Sequence, residues 1–411
     1  MDKKNVIIIG GGPAGLAVAI NLYKKGIKNI LLIEREKFLG GILRQCIHDG
    51  FGLIRFKEPL SGPEYAQRFI DQLKEMGIEY LTESTVTDIS PDKIVTFANT
   101  KGLHKIQGDA VVLTMGCRER TRGALGIPGE RPTGVYTAGV AQAYMNLYNT
   151  MVGKNIIILG SGDIGLIMAR RMTLEGANVL GVFEIKSYPS GLPRNIVQCL
   201  DDYNIPLHLS HTVTNIHGGS RLTGVTISQV DENFNTIPNT DKYYPCDTLI
   251  LSVGLIPENE LSLKIGVILD PRTKGAIVDE NYQTNIEGVF AAGNVLHVHD
   301  LVDFVSIEGE KVSLSIEKYL ASKKLLDCPI SIKTDENINH TIPQNISGQE
   351  DFVLSFRGKN FLRDITLIVK QGEETILTKK LKKLNPAEMV QIPIKKNLLK
   401  NKSDLEVMIN C

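Results

Sequence analysis

Two stretches of the chain share one pattern of apolar and polar positions, and each shared position is offset by 150 residues, as Glu184 is from Glu34. Each copy opens with an apolar, mostly β-branched run, KNVIIIG at residues 4–10 and KNIIILG at residues 154–160. A glycine-rich turn, a stretch of helical spacing and a second apolar run ending on glutamate follow in both copies. This pattern predicts a buried strand, a tight turn, a helix and a second buried strand, twice.

Both turns carry the motif G-x-G-x-x-G, as GGGPAG at residues 10–15 and GSGDIG at residues 160–165. The first glycine allows the turn, the second lets a pyrophosphate approach the backbone, and the third lets helix pack on strand. The helix N-terminus then stabilises the phosphate charge. Glu34 and Glu184 each follow the third glycine by 19 residues, where a carboxylate can accept hydrogen bonds from a ribose diol. Two such motifs in register predict two dinucleotide sites.

Three further apolar runs end in glycine turns: GDAVVLTMG (108–116), CDTLILSVG (246–254) and TNIEGVFAAGN (284–294). They are either a repeated packing unit or strands that return each domain to its cofactor edge. Their recurrence after each glycine motif favours the second interpretation. Two motifs with three such strands predict that one domain is discontinuous, its last strand arriving after the other domain has been inserted.

The pattern changes from residue 331. A polar stretch at 331–349 is typical of a linker, and short alternating runs separated by turn signals follow it. These runs predict a small antiparallel β domain, which either packs on the surface of the other domains or docks a partner subunit. We therefore predict an α/β fold with two Rossmann-like, three-layer dinucleotide-binding domains and this third domain. The predicted boundaries are 1–118 with 285–330 for the first domain, 119–284 for the inserted domain, and 331–411 for the linker and β domain.

Composition narrows the class of protein. At 411 residues the chain is long enough for two or three domains with their own cores. Lysine plus arginine and aspartate plus glutamate both number 46, so no net field recruits nucleic acid or an anionic membrane. The six cysteines are scattered without a C-x-x-C pair, which favours a reducing compartment over a disulfide scaffold or an iron–sulfur site. The apolar runs are of strand length and the first begins at once, so we expect a cytoplasmic protein without a secretion signal or membrane span.

Several motifs, in their order along the chain, resemble the two-dinucleotide flavoproteins, that is, the pyridine nucleotide–disulfide oxidoreductases and their disulfide-free relatives. The motifs are GGGPAG with Glu34, the Gly40–Gly41 pair, LTMG, GSGDIG with Glu184, SVGLIPEN and TNIEGVFAAGN. The resemblance extends to about residue 330 and implies FAD at the first glycine motif and NAD(P)H at the second.

The resemblance also implies which residues meet each cofactor. At the FAD site these are Gly10, Gly12, Pro13, Ala14, Glu34 and Arg35 around the AMP and pyrophosphate, Gly41, Leu43 and Gln45 at the flavin edge, Val86 beside the adenine, Thr114 and Gly116 on the closing side, and Gly293 and Asn294 at the ribityl chain and its phosphate. At the NAD(P)H site they are Gly160, Gly162, Asp163, Ile164, Glu184 and Gly254. Many relatives have aspartate at the position of Asn294, which can still form hydrogen bonds but carries no charge.

A helix is predicted from Leu301 toward Leu320, with Asp300 as its N-cap. By resemblance, its first residues, Leu301 and Val302, direct the helix N-terminus at the flavin pyrimidine ring, where its partial positive charge stabilises the reduced flavin. His297 and His299 alternate onto one face just before this helix. The sequence shows no third or fourth ligand at metal-binding spacing, so no metal site is expected.

A narrower resemblance rests on the segments 40–52, 116–142 and 293–309. They look like the FAD/NAD subunits of hydrogen cyanide synthase, opine oxidase and amino-acid dehydrogenases, and like the NADH oxidase-like proteins that accompany a glycerol-3-phosphate dehydrogenase-like flavoprotein. The cysteine-rich insert of the cyanide and opine members is absent, so the last type fits better. This resemblance implies a partner flavoprotein and a small cysteine-rich subunit as possible partners. The chain could also form an oligomer.

Cys46 is the one cysteine after the Gly-Gly turn, where disulfide reductases carry C-x-x-x-x-C. Dithiol–disulfide exchange through this segment is therefore excluded, and hydride transfer from nicotinamide to flavin remains. Cys46 is either a buried apolar residue or a flavin-facing thiolate that cycles through sulfenic acid, with His48 lowering its pKa. Arg118, Arg120 and Arg122 are either a solvated loop face or a clamp for phosphate or carboxylate.

Glu184 bears on the nicotinamide cofactor, because a carboxylate at this strand end accepts from a free 2′-hydroxyl and repels a 2′-phosphate. We therefore expect NADH rather than NADPH, although Lys186 is a cation close enough to accept that phosphate. Two functional classes follow. The first is an FAD enzyme that oxidises NADH and passes electrons to oxygen, peroxide or a partner subunit. The second is a non-catalytic FAD-binding scaffold subunit of a dehydrogenase complex.

Overall fold

The structure is a computed structural model that describes residues 2–410 and divides the chain into two compact units. The first unit combines the chain up to Cys117 with the chain from Pro257 onward, and the second is Arg118–Ile256. In chain order, the elements up to residue 119 are β1 (Lys3–Ile9), α1 (Pro13–Lys24), β2 (Ile30–Ile33), α2 (Gly62–Glu75), β3 (Glu79–Leu81), β4 (Thr85–Ile89), β5 (Ile94–Asn99), β6 (Gly102–Leu113) and β7 (Cys117–Glu119).

The elements that follow lie in the second unit. They are α3 (Arg122–Leu125), β8 (Val135–Thr137), α4 (Ala138–Tyr148), β9 (Asn155–Leu159), α5 (Asp163–Leu174), β10 (Asn178–Glu184), α6 (Pro193–Cys199), β11 (Leu207–Leu209), β12 (His211–Gly218), β13 (Leu222–Gln229), β14 (Lys242–Pro245) and β15 (Thr248–Leu251).

The last part of the chain returns to the first unit and ends in a β domain. Its elements are β16 (Leu255–Pro257), α7 (Glu260–Lys264), β17 (Val289–Ala291), α8 (Val302–Ser322), β18 (Ile330–Thr334), β19 (Ile338–Ile342), β20 (Asn345–Ile346), β21 (Phe352–Gly358), β22 (Leu362–Gln371), β23 (Glu374–Leu384), β24 (Met389–Ile394) and β25 (Leu405–Asn410). Short 3-10 helices span Gly41–Gln45, Asp201–Tyr203, Gly293–Val295 and Lys396–Leu398.

The first unit is built on a seven-stranded sheet in the order β3-β2-β1-β6-β5-β4, with β17 also paired to β6. Strands β3, β2, β1, β6 and β17 are parallel to their neighbours, whereas β4 and β5 form an antiparallel ribbon with β6. The four residues Val6–Ile9 are buried, because both faces of a parallel sheet are covered. The late strand β17 thus completes a sheet begun by β1.

Helices α1 and α8 pack closely beside this sheet. A Cβ atom added to Gly309 would lie 2.6 Å from the backbone oxygen of Ala14, so the two helices can approach this closely only because Gly309 has no side chain. Val312, Ile316 and Tyr319 of α8 join the core that α1 and the sheet share. Within residues 2–410, no helix is both long enough and apolar enough to cross a membrane.

The second unit contains a parallel sheet in the order β11-β10-β9-β15-β8 and an antiparallel sheet in the order β12-β13-β14. Strand β9 precedes the second glycine turn. Strand β15, which ends shortly before Gly254, pairs directly with β9. This matches the arrangement of β1 and β6 in the first unit. Both strands therefore lie beside the strand that precedes a glycine turn.

The chain returns to the first unit earlier than expected. Residue 285 was the predicted boundary, but residues 257–284 belong to the first unit. Ile265, Val267, Ala276 and Val278 are buried in the same core as β6 and β17. The reason is that this segment folds as α7 and a series of turns whose apolar side chains pack against the first sheet.

The C-terminal domain begins with strands where a linker was expected, and that expectation is wrong. Its core includes Ile330, Ile332, Ile338 and Ile346, which are buried although polar residues surround them in the sequence. Its two sheets have the orders β20-β18-β25-β22-β23 and β19-β21-β24. The domain is also not purely antiparallel, because β18 pairs with β25 in parallel.

Candidate functional site

The first glycine turn is shaped for a group that the chain does not supply. Gly10 has φ +108°, and a Cβ there would lie 2.4 Å from the backbone oxygen of Thr114. A Cβ on Gly15 would lie 2.0 Å from the backbone oxygen of Gly10, so helix and strand are in close contact. A Cβ on Gly12 would meet no heavy atom within 4 Å. Open space at the second glycine alone is what a pyrophosphate requires, so the turn fits the phosphates of FAD.

Glu34 lies at the end of β2 as predicted. Its buried carboxylate accepts hydrogen bonds from the backbone N–H of Gly11 (2.7 Å) and of Glu36 (2.8 Å). The backbone N–H of Ser84 donates to the Glu34 carbonyl at 3.0 Å, which brings the chain leading into β4 to the same edge. Ser84 is buried, and sequence reasoning did not identify it, because no motif marks it.

Arg35 and Val86 were expected near the adenosine. Arg35 is exposed and its guanidinium lies 3.7 Å from the carboxylate of Glu36, in a surface ion pair. Val86 lies on β4 opposite Phe97 and packs against the core of the first unit. Both residues therefore lie close to Glu34 along the chain or on the strand that follows Ser84. Among the described residues, neither shows a contact with the glycine turn itself.

Three further segments lie around the first turn: the loop that contains Gly41, the end of β6 and the end of β17. A Cβ on Gly41 would lie 3.1 Å from Gly12 Cα, and one on Gly293 would lie 2.9 Å from the Ala14 methyl group. Thr114 donates its hydroxyl to the carbonyls of Ile9 (2.8 Å) and Gly10 (3.0 Å). The remaining predicted residues are Pro13 in the first turn of α1, Leu43 and Gln45 buried in the 3-10 helix, and Gly116 at φ +75° with open space around it.

Asn294 is held by the residues that follow it. Its side-chain oxygen accepts the backbone N–H of His299 and lies 3.1 Å from His299 Nδ1, while its amide nitrogen lies 3.7 Å from Cys117 Sγ. The prediction of Asp300 as the N-cap is wrong. Helix α8 begins at Val302, and its N-cap residue is Leu301, whose side chain forms no capping hydrogen bond. Asp300 does not cap the helix because its carboxylate lies next to Arg357, 3.7 Å away, in the C-terminal domain.

Asp303, rather than Asp300, is the acid that organises the start of α8. It is buried, and its two oxygens accept the backbone N–H of Gly52 (3.1 Å) and of Arg55 (2.8 Å). The Tyr65 hydroxyl donates to Ser306 at 2.9 Å. The loop after the Gly-Gly turn is thereby attached to α8, a role that the sequence did not indicate because the partners are about 250 residues apart.

His297, His299 and Glu308 form a buried cluster beside Asn294. The Nε2 atoms of the two imidazoles lie 3.1 and 3.4 Å from Glu308 Oε1. Burial lowers the pKa of His297, and burial alone would raise that of Glu308. The adjacent rings of His299 and His297 instead hold the pKa of Glu308 well below its ordinary value. His340, from the C-terminal domain, lies next to His297 with ring centroids 5.9 Å apart.

Cys46 ends the 3-10 helix after the Gly-Gly turn. Its sulfur lies 3.4 Å from the carbonyl of Ile42, and burial raises the pKa of its thiol to about 12. The segment is not an extended strand, and His48 packs its ring on Phe51 with centroids 5.0 Å apart. A protonated thiol is a poor nucleophile, so the environment favours a packing role for the half-buried Cys46 over a reactive thiolate.

The second glycine turn repeats the geometry of the first with one difference. Gly160 has φ +93°, and a Cβ there would lie 2.2 Å from the backbone oxygen of Ser252. A Cβ on Gly162 would lie 3.3 Å from Ser252 Oγ, which also accepts the backbone N–H of Gly165 at 3.0 Å. Gly254 has φ +99° after β15. The space at the second glycine is therefore narrower than at Gly12.

Glu184 lies at the end of β10, and its carboxylate is already engaged by the chain. Its Oε2 accepts the backbone N–H (3.0 Å) and hydroxyl (2.5 Å) of Ser161 and the hydroxyl of Ser190 (3.1 Å). Its Oε1 accepts the backbone N–H of Lys186 at 3.1 Å. The two serines were missed in the sequence, although Ser161 is the second residue of the motif GSGDIG.

Asp163 holds the segment that follows Glu184 over the second turn. Its Oδ1 accepts the backbone N–H of Leu192 (2.8 Å) and the amide of Asn195 (2.7 Å). A Cβ on Gly191 would lie 2.8 Å from the backbone oxygen of Ser161. Ile164 packs against the core of the unit. The chain itself thus covers the turn where the second dinucleotide was predicted.

Arg122, from the basic cluster of the second unit, bonds to the backbone rather than facing an open site. Its guanidinium donates to the carbonyls of Ile127 (3.2 Å), Gly129 (2.7 Å) and Glu130. These bonds hold the loop after α3 in one conformation, so a structural role accounts for this member of the cluster.

Comparison with known proteins agrees with the two glycine turns. Residues 4–312 match the family described as pyridine nucleotide-disulphide oxidoreductase. This match spans well over half of the chain. The chain belongs to that family. It is therefore an FAD-dependent oxidoreductase, and the predicted α/β class with Rossmann-like sheets is confirmed.

Similar proteins cover the same part of the chain. The glutamate synthase (NADPH) small chain of Mycobacterium tuberculosis is 26% identical over 365 residues, which are 80% of this chain and 70% of that protein. Hydrogen cyanide synthase subunit HcnB of Pseudomonas aeruginosa is 23% identical over 330 residues, 75% of this chain and 68% of that protein. The crystal structure of T. acidophilum thioredoxin reductase shares the fold, with a TM-score of 0.64 and 23% identity over 79% of this chain and all of that chain.

Proposed function

We propose that this protein oxidises NADH and passes the electrons through FAD to oxygen, peroxide or a partner subunit. The observation that carries the proposal is the pair of glycine turns, each followed by a buried glutamate at the end of the next strand. FAD, when bound at the first turn, supplies the flavin that accepts hydride. The protein's own part is to hold the two nucleotides, because neither turn contributes an acid–base pair.

NADH fits the second turn better than NADPH. Glu184 carries its negative charge at the position that a ribose diol occupies, and a 2′-phosphate there would be repelled. Lys186 is a cation that could accept a 2′-phosphate. Its amine lies 5.4 Å from the ring centroid of Tyr188. Its charge is thereby directed onto an aromatic face rather than toward Glu184.

The electron acceptor is not a disulfide formed in this chain after the Gly-Gly turn. Cys46 is the single cysteine there; it is half-buried, and desolvation raises the pKa of its thiol to about 12, which disfavours the reactive thiolate. Oxygen, peroxide, a partner flavoprotein and a small cysteine-rich subunit remain as acceptors. The likeness to the hydrogen cyanide synthase subunit supports an acceptor on a partner protein.

Anaerobic titration of the purified protein with NADH tests the proposal. The flavin absorbance near 450 nm (roughly, as for any oxidised flavin that accepts hydride) should fall to a plateau at about one equivalent of NADH. NADPH at the same concentration should bleach the flavin more slowly. A yellow protein whose absorbance NADH leaves unchanged would contradict the proposal.

One observation favours a second candidate, a non-catalytic FAD-binding scaffold subunit. Ser161 and Ser190 occupy the Glu184 carboxylate, and the chain from Ser190 to Asn195 covers the second turn. A nucleotide must displace the Ser190 hydroxyl to bind there. Equilibrium binding of NADH, measured by calorimetry, separates the candidates, because a scaffold retains FAD yet gives no heat of NADH binding at millimolar ligand.

A further inference from the structure

Three atoms of the kind that bind metals converge at the start of α8. The Nε2 atoms of His297 and His299 lie 3.1 and 3.4 Å from Oε1 of Glu308, and one possible ligand atom from each of the three residues lies within 4.8 Å of the others. A tetrahedral zinc ion with bonds of about 2.0–2.1 Å holds its ligand atoms roughly 3.3–3.4 Å apart. The distance from His299 matches the edge of such a tetrahedron, and the distance from His297 is slightly shorter than that edge.

The hydrogen bonds of His299 direct its Nε2, rather than its Nδ1, at Glu308. Asn294 Oδ1 accepts the backbone N–H of His299, which identifies that atom as the amide oxygen. His299 Nδ1 lies 3.1 Å from the same oxygen, so Nδ1 donates a ring proton to it. Nε2 lies 3.4 Å from the Glu308 carboxylate oxygen, an approach that requires either a second ring proton or a metal cation between the two atoms.

Glu308 is oriented in the same way. Its Oε2 accepts the backbone N–H of Gly293 at 2.6 Å, which leaves Oε1 directed at the two imidazoles. Metal-binding histidines and carboxylates are usually fixed by such second hydrogen bonds, which set the tautomer and the direction of the lone pair. Both His299 and Glu308 have that support from the segment that contains Asn294.

A small cavity lies at the same place. Its volume is about 20 Å³, and its lining includes His297, His299, Asp300, Glu308 and Lys311. One water-sized group needs about 10–15 Å³ by this measure. The buried Oδ1 of Asp300 forms no hydrogen bond within residues 2–410, so a second electron-rich oxygen borders the cavity.

We propose that His297, His299 and Glu308 bind one zinc ion, with a water molecule as the fourth ligand. Two imidazoles and one carboxylate are a ligand set that zinc accepts in proteins. The set also occurs with ferrous iron, but those sites keep several positions open, and this cavity admits only one small ligand. The ion joins the segment after Gly293 to α8 and fixes Asn294 through His299.

Binding through Nε2 requires the proton of His297 to be on Nδ1. That nitrogen has no hydrogen-bond partner in the described part of the chain, and neither has Nε2 of His340. The two rings are neighbours, with centroids 5.9 Å apart. His340 Nδ1 lies 3.2 Å from the amide nitrogen of Asn339 and accepts from it, so His340 Nε2 carries the ring proton and does not accept from His297.

Elemental analysis of the purified full-length protein tests the proposal directly. Protein from zinc-supplemented cells should retain about one zinc ion per chain after desalting. A chelator should remove it and lower the melting temperature by several degrees, and zinc alone should restore both, because the ion binds the folded state. Protein that retains no zinc above background, with a melting temperature indifferent to chelator and zinc, would overturn the proposal in favour of a purely hydrogen-bonded cluster.

Two variants locate the ion. Glu308→Gln keeps an oxygen for the Gly293 N–H but loses the anionic ligand, and His299→Gln loses one imidazole; each should lower zinc affinity at least tenfold. His217→Gln, which removes a histidine bonded to Thr226 in the second unit, should keep the zinc content unchanged. Equal zinc loss in His217→Gln would place the ion elsewhere. The result for the unmodified protein stands even where a variant fails to fold.

Discussion

At Gly12 the chain leaves a space that its own atoms do not fill. A larger side chain at this position should therefore weaken ligand binding without disturbing the fold. Gly12 has φ −78°, which any residue adopts, and an added Cβ meets nothing in the chain. Gly10 and Gly15 differ, because an added Cβ there strikes backbone oxygens at 2.4 and 2.0 Å. The three glycines of one motif therefore have different sensitivities to substitution.

Gly12→Val should fold normally but lose FAD, because the branched side chain occupies the space where the pyrophosphate meets the backbone. We expect the flavin content of the purified variant to fall at least tenfold, measured as the absorbance ratio of flavin to protein. Gly219→Val is the matched control, since its Cβ also meets open space but lies far along the chain, in the turn after β12. Full yellow colour in Gly12→Val would contradict the assignment of the first turn.

Glu184→Gln should weaken NADH binding and narrow the preference over NADPH, with flavin content unchanged. Charge-assisted hydrogen bonds contribute about 1.5–3 kcal/mol each, so loss of one raises the KM for NADH roughly 10- to 100-fold. Steady-state kinetics with both nucleotides measures this. Glu175→Gln, which removes only a surface ion pair with Arg171, should leave both KM values unchanged. Equal rates with NADH and NADPH in the unmodified protein would remove the basis of this prediction.

Cys46→Ser should still reduce its flavin with NADH at the normal rate, because hydride passes between cofactors without sulfur. Peroxide turnover is the sensitive measurement, and we expect it to change little. The reason is that a thiol whose pKa burial raises to about 12 is almost wholly protonated at pH 8, so it reacts slowly with peroxide and with iodoacetamide. Normal flavin reduction with complete loss of peroxide turnover would instead make Cys46 the catalytic residue.

At the scale of elements, the contact between α1 and α8 connects the first glycine turn to the late part of the chain. Gly309 lets α8 approach the backbone of Ala14, and Gly293, just before α8, lies against the Ala14 side chain. Asp303 attaches the loop after the Gly-Gly turn to the same helix, and Ser306 attaches α2 to it. One helix thus positions segments on three sides of the predicted FAD site.

Gly309→Val should destabilise this arrangement, because its Cβ would lie 2.6 Å from the Ala14 carbonyl oxygen and the helices must separate. Overpacking of this kind costs about 1–3 kcal/mol. We expect a lower denaturant midpoint and weaker FAD retention together. Leu314→Val, at an exposed position of the same helix, should change neither. An unchanged midpoint in Gly309→Val would mean that α8 shifts freely against α1.

At the scale of the whole molecule, Asp279 contributes to the pH dependence of stability. Burial raises its pKa from 3.8 to about 6, although it accepts the backbone N–H groups of Asn281 and Gln283. The folded state therefore binds this proton more tightly than the unfolded state. Below about pH 4 both states are protonated and nothing is lost, and the penalty develops as pH rises through 6.

Asp279→Asn should accordingly gain stability over the unmodified protein as pH rises from 4 to 7. A shift of about two pKa units corresponds to at most about 3 kcal/mol. Chemical denaturation at several pH values measures the difference, with Asp327→Asn, an exposed position, as the control. A difference that is constant with pH would show that Asp279 is not the titrating group.

The sequence by itself determined the parts whose chemistry is local. A strand, a glycine turn, a helix and a glutamate follow one another within about thirty residues, so the two turns, Glu34 and Glu184 could all be identified from spacing. Burial of β1, β6, β9, β15 and β17 was readable too, because parallel strands covered on both faces are continuously apolar.

Only the tertiary structure decided which distant residues share a site. Glu308 meets His297 and His299 because α8 turns its side chain back toward the segment before the helix, a contact that ligand spacing did not indicate. Asp300 lies beside Arg357, and Ser190 bonds to Glu184, through folds of the chain that no local pattern encodes. Such contacts depend on how whole elements pack, and packing is set by the sum of many apolar contacts rather than by any one stretch of sequence.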